Sequence, residues 1–247
     1  MKVIVIIPAA GLGTRMGASA AKTRKPSGAK PALLPSKQFA DLAGAPILIH
    51  TLRRFAESKQ VDNMVVALRK PDIKNFQAAV NQESFAGRVQ LVEGGENRQQ
   101  SVANALAQVK ANAEDIVLVH DAVRPFITPE LIGRVITAAA KHGAAIAGMP
   151  AVDTVKQVDR TADGAIITST IPCERVVMAQ TPQGFRYEVL KKAFDEAQAD
   201  AFIGTDEASL VERSGHEVAV VMGSPQNIKI TTPGDMELAE FYVKTKN

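Results

Sequence analysis

Five short apolar runs, Val3–Ile7, Met64–Leu68, Val89–Val92, Ile116–Val119 and Ala145–Met149, lack the polar alternation of a half-solvated strand. Strands of that kind are buried on both faces, which requires helices above and below a largely parallel sheet. Stretches with helical spacing lie between them. Pro46–Glu57 places Ile47, Leu48, Leu52 and Phe55 on one stripe, Ser101–Val109 does likewise, and Pro129–Lys141 opens with Thr128 as N-cap and proline at the first helical position. The repeated strand–helix–strand pattern predicts an α/β fold: a single domain over residues 1–247 built on a doubly wound, mostly parallel sheet, a size that one such core accommodates. After Met149 the pattern changes. Thr154–Val158 and Ala165–Thr170 flank the turn-forming Asp159–Gly164, which predicts a protruding β-hairpin arm within residues 151–172. A helix over Tyr187–Ala197, a strand over Glu217–Met222 and a terminal helix over Pro233–Thr245 complete the expectation.

Composition narrows the chemistry. The single cysteine, Cys173, excludes an intramolecular disulfide and a cysteine-based zinc cluster, and the four histidines have no His-x-x-x-His spacing. A required metal would then be Mg²⁺ on oxygen ligands. The chain shows no run of about 18 apolar residues, so no membrane span is expected, and Val3–Ile7 followed by Pro8 is too short for a signal segment. A cytoplasmic location follows as the expectation. The net charge of +3 is unevenly spread, with Lys22, Arg24, Lys25, Lys30 and Lys37 crowded into one segment, which points to an anionic ligand. Nucleic acid fits poorly, because aromatics are 4% of the chain and none interleaves with those cations to stack on bases.

The first strand runs into Pro8-Ala9-Ala10-Gly11-Leu12-Gly13-Thr14-Arg15-Met16, where minimal side chains let backbone N–H groups approach phosphates. Met16 stands where a dinucleotide fingerprint needs its third glycine, and Ala18-Ser19 follows Gly17 where a P-loop needs Lys-Ser/Thr. A plain strand-to-helix turn is the alternative, but Arg15 adds a planar donor fork suited to phosphate oxygens. Gly94-Gly95-Glu96-Asn97-Arg98-Gln99-Gln100-Ser101 follows the third run, at the strand end where ligand loops gather, although a helix start capped by Asn97 or Glu96 would read the same. Leu118-Val119-His120-Asp121-Ala122-Val123-Arg124-Pro125-Phe126 ends the fourth run with a carboxylate. Asp121 is placed to hold Mg²⁺ on a triphosphate, and Arg124 could pair with it.

These segments resemble the signatures of the sugar-phosphate nucleotidyltransferases, specifically the methylerythritol phosphate cytidylyltransferases. The likeness extends through Asp153-Thr154-Val155-Lys156, Ala179-Gln180-Thr181-Pro182-Gln183-Gly184-Phe185, Thr205-Asp206-Glu207-Ala208-Ser209 and Asn227-Ile228-Lys229-Ile230-Thr231, essentially the whole chain. It implies transfer of a cytidylyl group from CTP to a polyol phosphate with release of pyrophosphate, and a homodimer whose arm reaches the neighbouring active site. Nucleotide contacts are implied for Pro8, Ala9, Ala10, Gly11, Gly13, Gly95, Glu96, Arg98, Ser101, Asp121 and Ala122. Acceptor contacts are implied for Arg124, Thr154, Arg175, Thr181 and Thr205, and charge stabilisation at the reacting phosphorus for Arg15, Lys37 and Lys229. The family's Pro-Lys-Gln box reads Pro35-Ser36-Lys37-Gln38-Phe39 here, after a long basic stretch from Gly17 to Pro35, so Lys22, Lys25 and Lys30 also compete for the triphosphate. Cys173 stands where the family commonly carries an arginine. A ribitol phosphate cytidylyltransferase, or a non-catalytic CTP-binding protein on the same scaffold, are the alternative readings.

Overall fold

The computed structural model describes residues 1–11 and 36–245. Its strands are β1 (Val3–Pro8), β2 (Asp41–Leu42), β3 (Ala45–Pro46), β4 (Asn63–Leu68), β5 (Val89–Glu93), β6 (Ile116–Val119), β7 (Ala144–Pro150), β8 (Val155–Thr161), β9 (Gly164–Ile171), β10 (Val177–Arg186) and β11 (Ala219–Met222). Its helices are α1 (Ile47–Glu57), α2 (Lys70–Val80), α3 (Arg98–Leu106), α4 (Pro129–His142), α5 (Tyr187–Ala199), α6 (Glu207–Arg213) and α7 (Pro233–Thr245). Seven strands form one sheet in the order β11-β7-β10-β6-β1-β4-β5. Strand β10 is antiparallel to both its neighbours, while the other pairings are parallel.

Alternation along β1 explains the two helical layers. Val3, Val5 and Ile7 pack with Leu52 and Phe55 of α1 and with Leu131 and Val135 of α4 on one face. Ile4 and Ile6 pack with Val102 of α3, Leu190 of α5 and Leu210 of α6 on the other. Each fully buried aliphatic side chain of this kind contributes about 1.5–3 kcal/mol, which is why an all-apolar strand belongs at the centre of such a sheet. Helix α4 begins where Thr128 Oγ1 accepts from the Leu131 N–H at 3.3 Å and ends at Gly143, whose φ of +85° favours glycine.

Several local expectations change. The apolar run Val89–Val92 predicts burial on both faces, yet β5 is only partly covered, because it is an edge strand of the sheet. The third helix starts at Arg98 rather than Ser101: Asn97 Oδ1 accepts from the Gln100 N–H at 2.8 Å, so the cap sets the start ahead of the apolar stripe. Helix α2 carries too weak a stripe to be read from the sequence, since it buries only Phe76 and Val80. Strand β10 is legible there only as a motif over 179–185. In the arm, pairing persists to Thr161 opposite Gly164, so the turn is shorter than Asp159–Gly164. The hairpin β8–β9 is a separate two-stranded sheet with almost every side chain exposed.

Candidate active site

The carboxyl ends of β1, β5 and β6 open onto a cleft of about 270 Å³. Parallel strands that stop together leave their following loops to converge, the usual place for a ligand in an open α/β sheet. Pro8, Ala9, Ala10 and Gly11 form one wall, and Gly95, Glu96, Arg98 and Ser101 another. Asp121 and Ala122 lie between them, and Lys37 and Lys229 reach in from outside the sheet.

Hydrogen bonds fix each wall. The Ala9 N–H donates to Ala67 O at 2.8 Å and the Gly94 N–H to Leu68 O at 2.7 Å, which ties both loops to β4. Ser101 Oγ accepts from the Gly95 N–H at 3.0 Å and donates to Asn97 O at 2.8 Å, closing the 94–98 loop over the start of α3. Gln38, almost fully buried, donates to Ala9 O at 2.6 Å, so the short 3₁₀ turn that bears Lys37 is fastened to the β1 wall.

Asp121 is the electrostatic centre. Lys229 Nζ lies 2.9 Å from its Oδ2, Arg124 Nε lies 3.2 Å from the same oxygen, and Arg98 Nε lies 3.5 Å from Oδ1. Burial alone would raise this carboxyl, but the three cations prevail and hold it well below the usual carboxylate range. Lys229 is delivered by a separate anchor. Asn227, completely buried, donates to Thr181 O at 2.8 Å, and its own carbonyl accepts from Arg124 Nη1 at 2.7 Å. The Thr181 carbonyl used by the first bond lies in the stretch of β10 where the register with β7 shifts, between Ala179 and Gln183.

Arg98 has a second partner. Its Nη1 lies 2.6 Å from Oε1 of Glu207, a residue only 1% exposed. Burial opposes the Arg98 charge, yet Glu207 and Asp121 together raise its pKa, whereas burial pushes the Glu207 carboxyl up against the pull of Arg98. His120 is fully buried and pushed down to about 4 by that burial; its Nε2 lies 3.1 Å from Arg124 O and its ring meets Phe55 edge-on. It is a neutral packing residue that does not line the cleft.

The residues read from the sequence fall into four groups. Pro8, Ala9, Ala10, Gly11, Lys37, Gly95, Glu96, Arg98, Ser101, Asp121, Ala122 and Lys229 line the cleft. Arg124 and Thr181 support it from behind, the first by its pair with Asp121, the second by accepting the Asp121 N–H on Oγ1 at 3.0 Å. Thr154, Arg175 and Thr205 are exposed and stand apart from the cleft lining, the first two near the ends of the hairpin. Gly13 and Arg15, with Lys22, Lys25 and Lys30, lie outside the described residues. Val123 and Gln38 also line the cleft, and Glu207 sits beneath it; all three lie inside the quoted motifs, but the sequence gives none of them a role, and the arginine partner of Glu207 is 109 positions away.

Among the described residues no group of three or more His, Cys, Asp or Glu could cage a metal. One ionised carboxylate beside an open cleft instead suits a hard cation whose remaining ligands come from a nucleotide and water. None of the described helices is long and apolar enough to cross a membrane.

A doubly wound α/β sheet with a small-residue loop after its first strand and a carboxylate ringed by cations defines a nucleotidyltransferase scaffold. The model of the IspD family, 2-C-methyl-D-erythritol 4-phosphate cytidylyltransferase, matches residues 3–245, and the chain belongs to that family. It is 58% identical over 247 residues to the 2-C-methyl-D-erythritol 4-phosphate cytidylyltransferase of Acidobacterium capsulatum, covering 100% of this chain and 99% of that one. It is 52% identical over 244 residues to the enzyme of the same name from Solibacter usitatus, covering 99% and 96% of the two chains. Among solved structures, the Francisella tularensis enzyme of that name superimposes with a TM-score of 0.78 at 32% identity over 98% of this chain and 99% of that chain. The Thermus thermophilus enzyme gives 0.74 at 31% identity over 99% and 100%.

Proposed function

We propose that this chain transfers the cytidylyl group of CTP to 2-C-methyl-D-erythritol 4-phosphate and releases pyrophosphate, a step in the non-mevalonate route to isoprenoid precursors. The observation that carries the reading is the Asp121–Lys229–Arg98 cluster facing the backbone cradle of residues 8–11, in a chain of this family. The acceptor's phosphate oxygen attacks the α-phosphorus in line with the departing pyrophosphate. A phosphate dianion needs no general base, so the protein positions the reactants and meets charge as it develops. Backbone N–H groups of the first loop and Gly95 and Ser101 cradle the nucleotide. Lys229, Lys37 and Arg15 neutralise the oxygens of the reacting and leaving phosphates. Asp121 would hold Mg²⁺, which when bound shields the triphosphate charge.

The acceptor is gripped by Thr205 of one subunit and by Thr154 and Arg175 of a partner's arm, in a homodimer, while Arg124 and Thr181, behind the cleft lining, hold Asp121 in place rather than the acceptor. Support comes from the hairpin itself. It exposes Val152, Val158, Ile166 and Ile167, and an isolated two-stranded ribbon is marginal in water unless something covers it. The reading is tested by pyrophosphate release from CTP and Mg²⁺ with 2-C-methyl-D-erythritol 4-phosphate, with ribitol 5-phosphate as rival acceptor and UTP and ATP as donor controls. Release with the first acceptor and CTP is expected. Release only with ribitol phosphate would move the assignment, and CTP binding without turnover would refute it.

A further inference from the structure

Asp121 is surrounded unevenly. Lys229 and Arg124 both take Oδ2, at 2.9 and 3.2 Å, so that oxygen is spent. Arg98 Nε meets Oδ1 as an ion pair at 3.5 Å, and among the described residues Oδ1 accepts no side-chain hydrogen bond. The short contact of Arg98 goes the other way, 2.6 Å to Glu207. Left with Asp121 alone, a half-buried guanidinium would close that gap, because a charge-assisted bond of about 2.8 Å is worth more than a longer one.

Glu207 is built so that it cannot follow. It opens α6, whose first turn is locked by the reciprocal bonds of Asp206 and Ser209. Gln183 holds the same turn from β10, its Nε2 donating to Asp206 Oδ2 at 2.8 Å and its Oε1 accepting the Ala208 N–H at 3.0 Å. The second carboxylate oxygen, Oε2, is buried with no partner among the described residues. A half-satisfied buried carboxylate is a poor choice for stability alone, since an uncharged side chain would avoid its desolvation cost.

We infer that Glu207 is a positioning residue: its carboxylate holds the Arg98 guanidinium away from Oδ1 of Asp121 and so leaves that oxygen open to the divalent cation that accompanies the triphosphate. The cleft then presents a carboxylate with one oxygen fixed by cations of the protein and one reserved.

The test is Mn²⁺ binding measured by electron paramagnetic resonance at saturating CTP without acceptor, for wild type, Glu207→Gln and the double variant R98Q/E207Q. Glu207→Gln is isosteric but uncharged, so Arg98 falls onto Asp121 and Mn²⁺ affinity drops by about fivefold or more. Removing both charges restores affinity to within about twofold of wild type, a rescue that a merely structural part for Glu207 does not predict. Unchanged affinity in Glu207→Gln overturns the inference, and so does a double variant that folds but stays as weak as the single one. The inference rests on the cytidylyltransferase reading, so wild-type pyrophosphate release is recorded alongside. Release with unaltered Mn²⁺ affinity in Glu207→Gln refutes the role of Glu207 alone, whereas no release from wild type refutes the reading with it.

Discussion

At the scale of single residues, Asp121 and Lys229 act as a pair whose geometry is set by neighbours rather than by their own segments. Asp121 was legible because a carboxylate closing an apolar strand has few structural reasons to be there. Lys229 taken alone reads as a solvated lysine, and only its family motif pointed to the cleft; its anchor, Asn227 bonded to Thr181, spans 46 positions. Glu207 falls within the Thr205–Ser209 motif, but its pairing was illegible for a plain reason: an acid at a helix start reads as a partner for the helix dipole, and its arginine lies 109 residues away. Replacing Lys229 by alanine removes a cation aimed at developing charge, so turnover should fall roughly a hundredfold or more, measured as kcat at saturating CTP. Asp115 gives a pH prediction away from the chemistry. Backbone N–H groups of Lys2 and Asn112 donate to its two carboxylate oxygens at 2.6 and 2.8 Å and lower its pKa from the ordinary 3.8. The unfolded chain therefore takes up this proton first, so the contribution is complete above that value and is lost as pH falls below it. Asp115→Asn should cost about 1–2 kcal/mol at neutral pH in urea titrations and show a shallower loss below pH ~4.

Elements position the site through close approach and caps. Gly94 is the clearest case: a Cβ there would lie 2.6 Å from the Cβ of Ala10 and 3.0 Å from Ser101 Oγ. The two loops that wall the cleft touch at this glycine, which is why neither can carry a larger side chain. Gly94→Ala should push the 94–98 loop away from residues 8–11 and raise KM for CTP by about tenfold with a smaller effect on kcat, since it disturbs a binding wall rather than a reacting group. The central strands and the capped helix α4 were readable because burial and capping leave local marks: apolar runs, and Thr128 before Pro129. Strand β10 left no such mark. It reverses direction between β6 and β7, runs from the exposed base of the arm into the core, and so mixes exposed Val177 and Met178 with buried Gln183 and Phe185. Helix α2 escaped for the opposite reason, lying so far out that two buried residues carry its packing.

For the whole molecule, the arm and the cleft pose one question, because Thr154 and Arg175 stand on a segment that does not contribute to the cleft of its own chain. Shared sites predict complementation. A Thr154→Ala variant mixed with a Lys37→Ala variant should recover about a quarter of wild-type activity after subunit exchange, since a site with neither substitution forms only by pairing unlike chains. No recovery after exchange confirmed by native mass spectrometry would place the acceptor contacts within one subunit. Deeper still is the claim that the protein only positions reactants for one displacement. The most direct measurement is the stereochemical course at the α-phosphorus, followed with CTP carrying a chiral α-phosphorothioate and read by phosphorus NMR of the product. Inversion is the result expected of a single in-line attack by the acceptor phosphate. Retention would contradict the account, because it requires two displacements and a cytidylyl group held covalently on the protein in between.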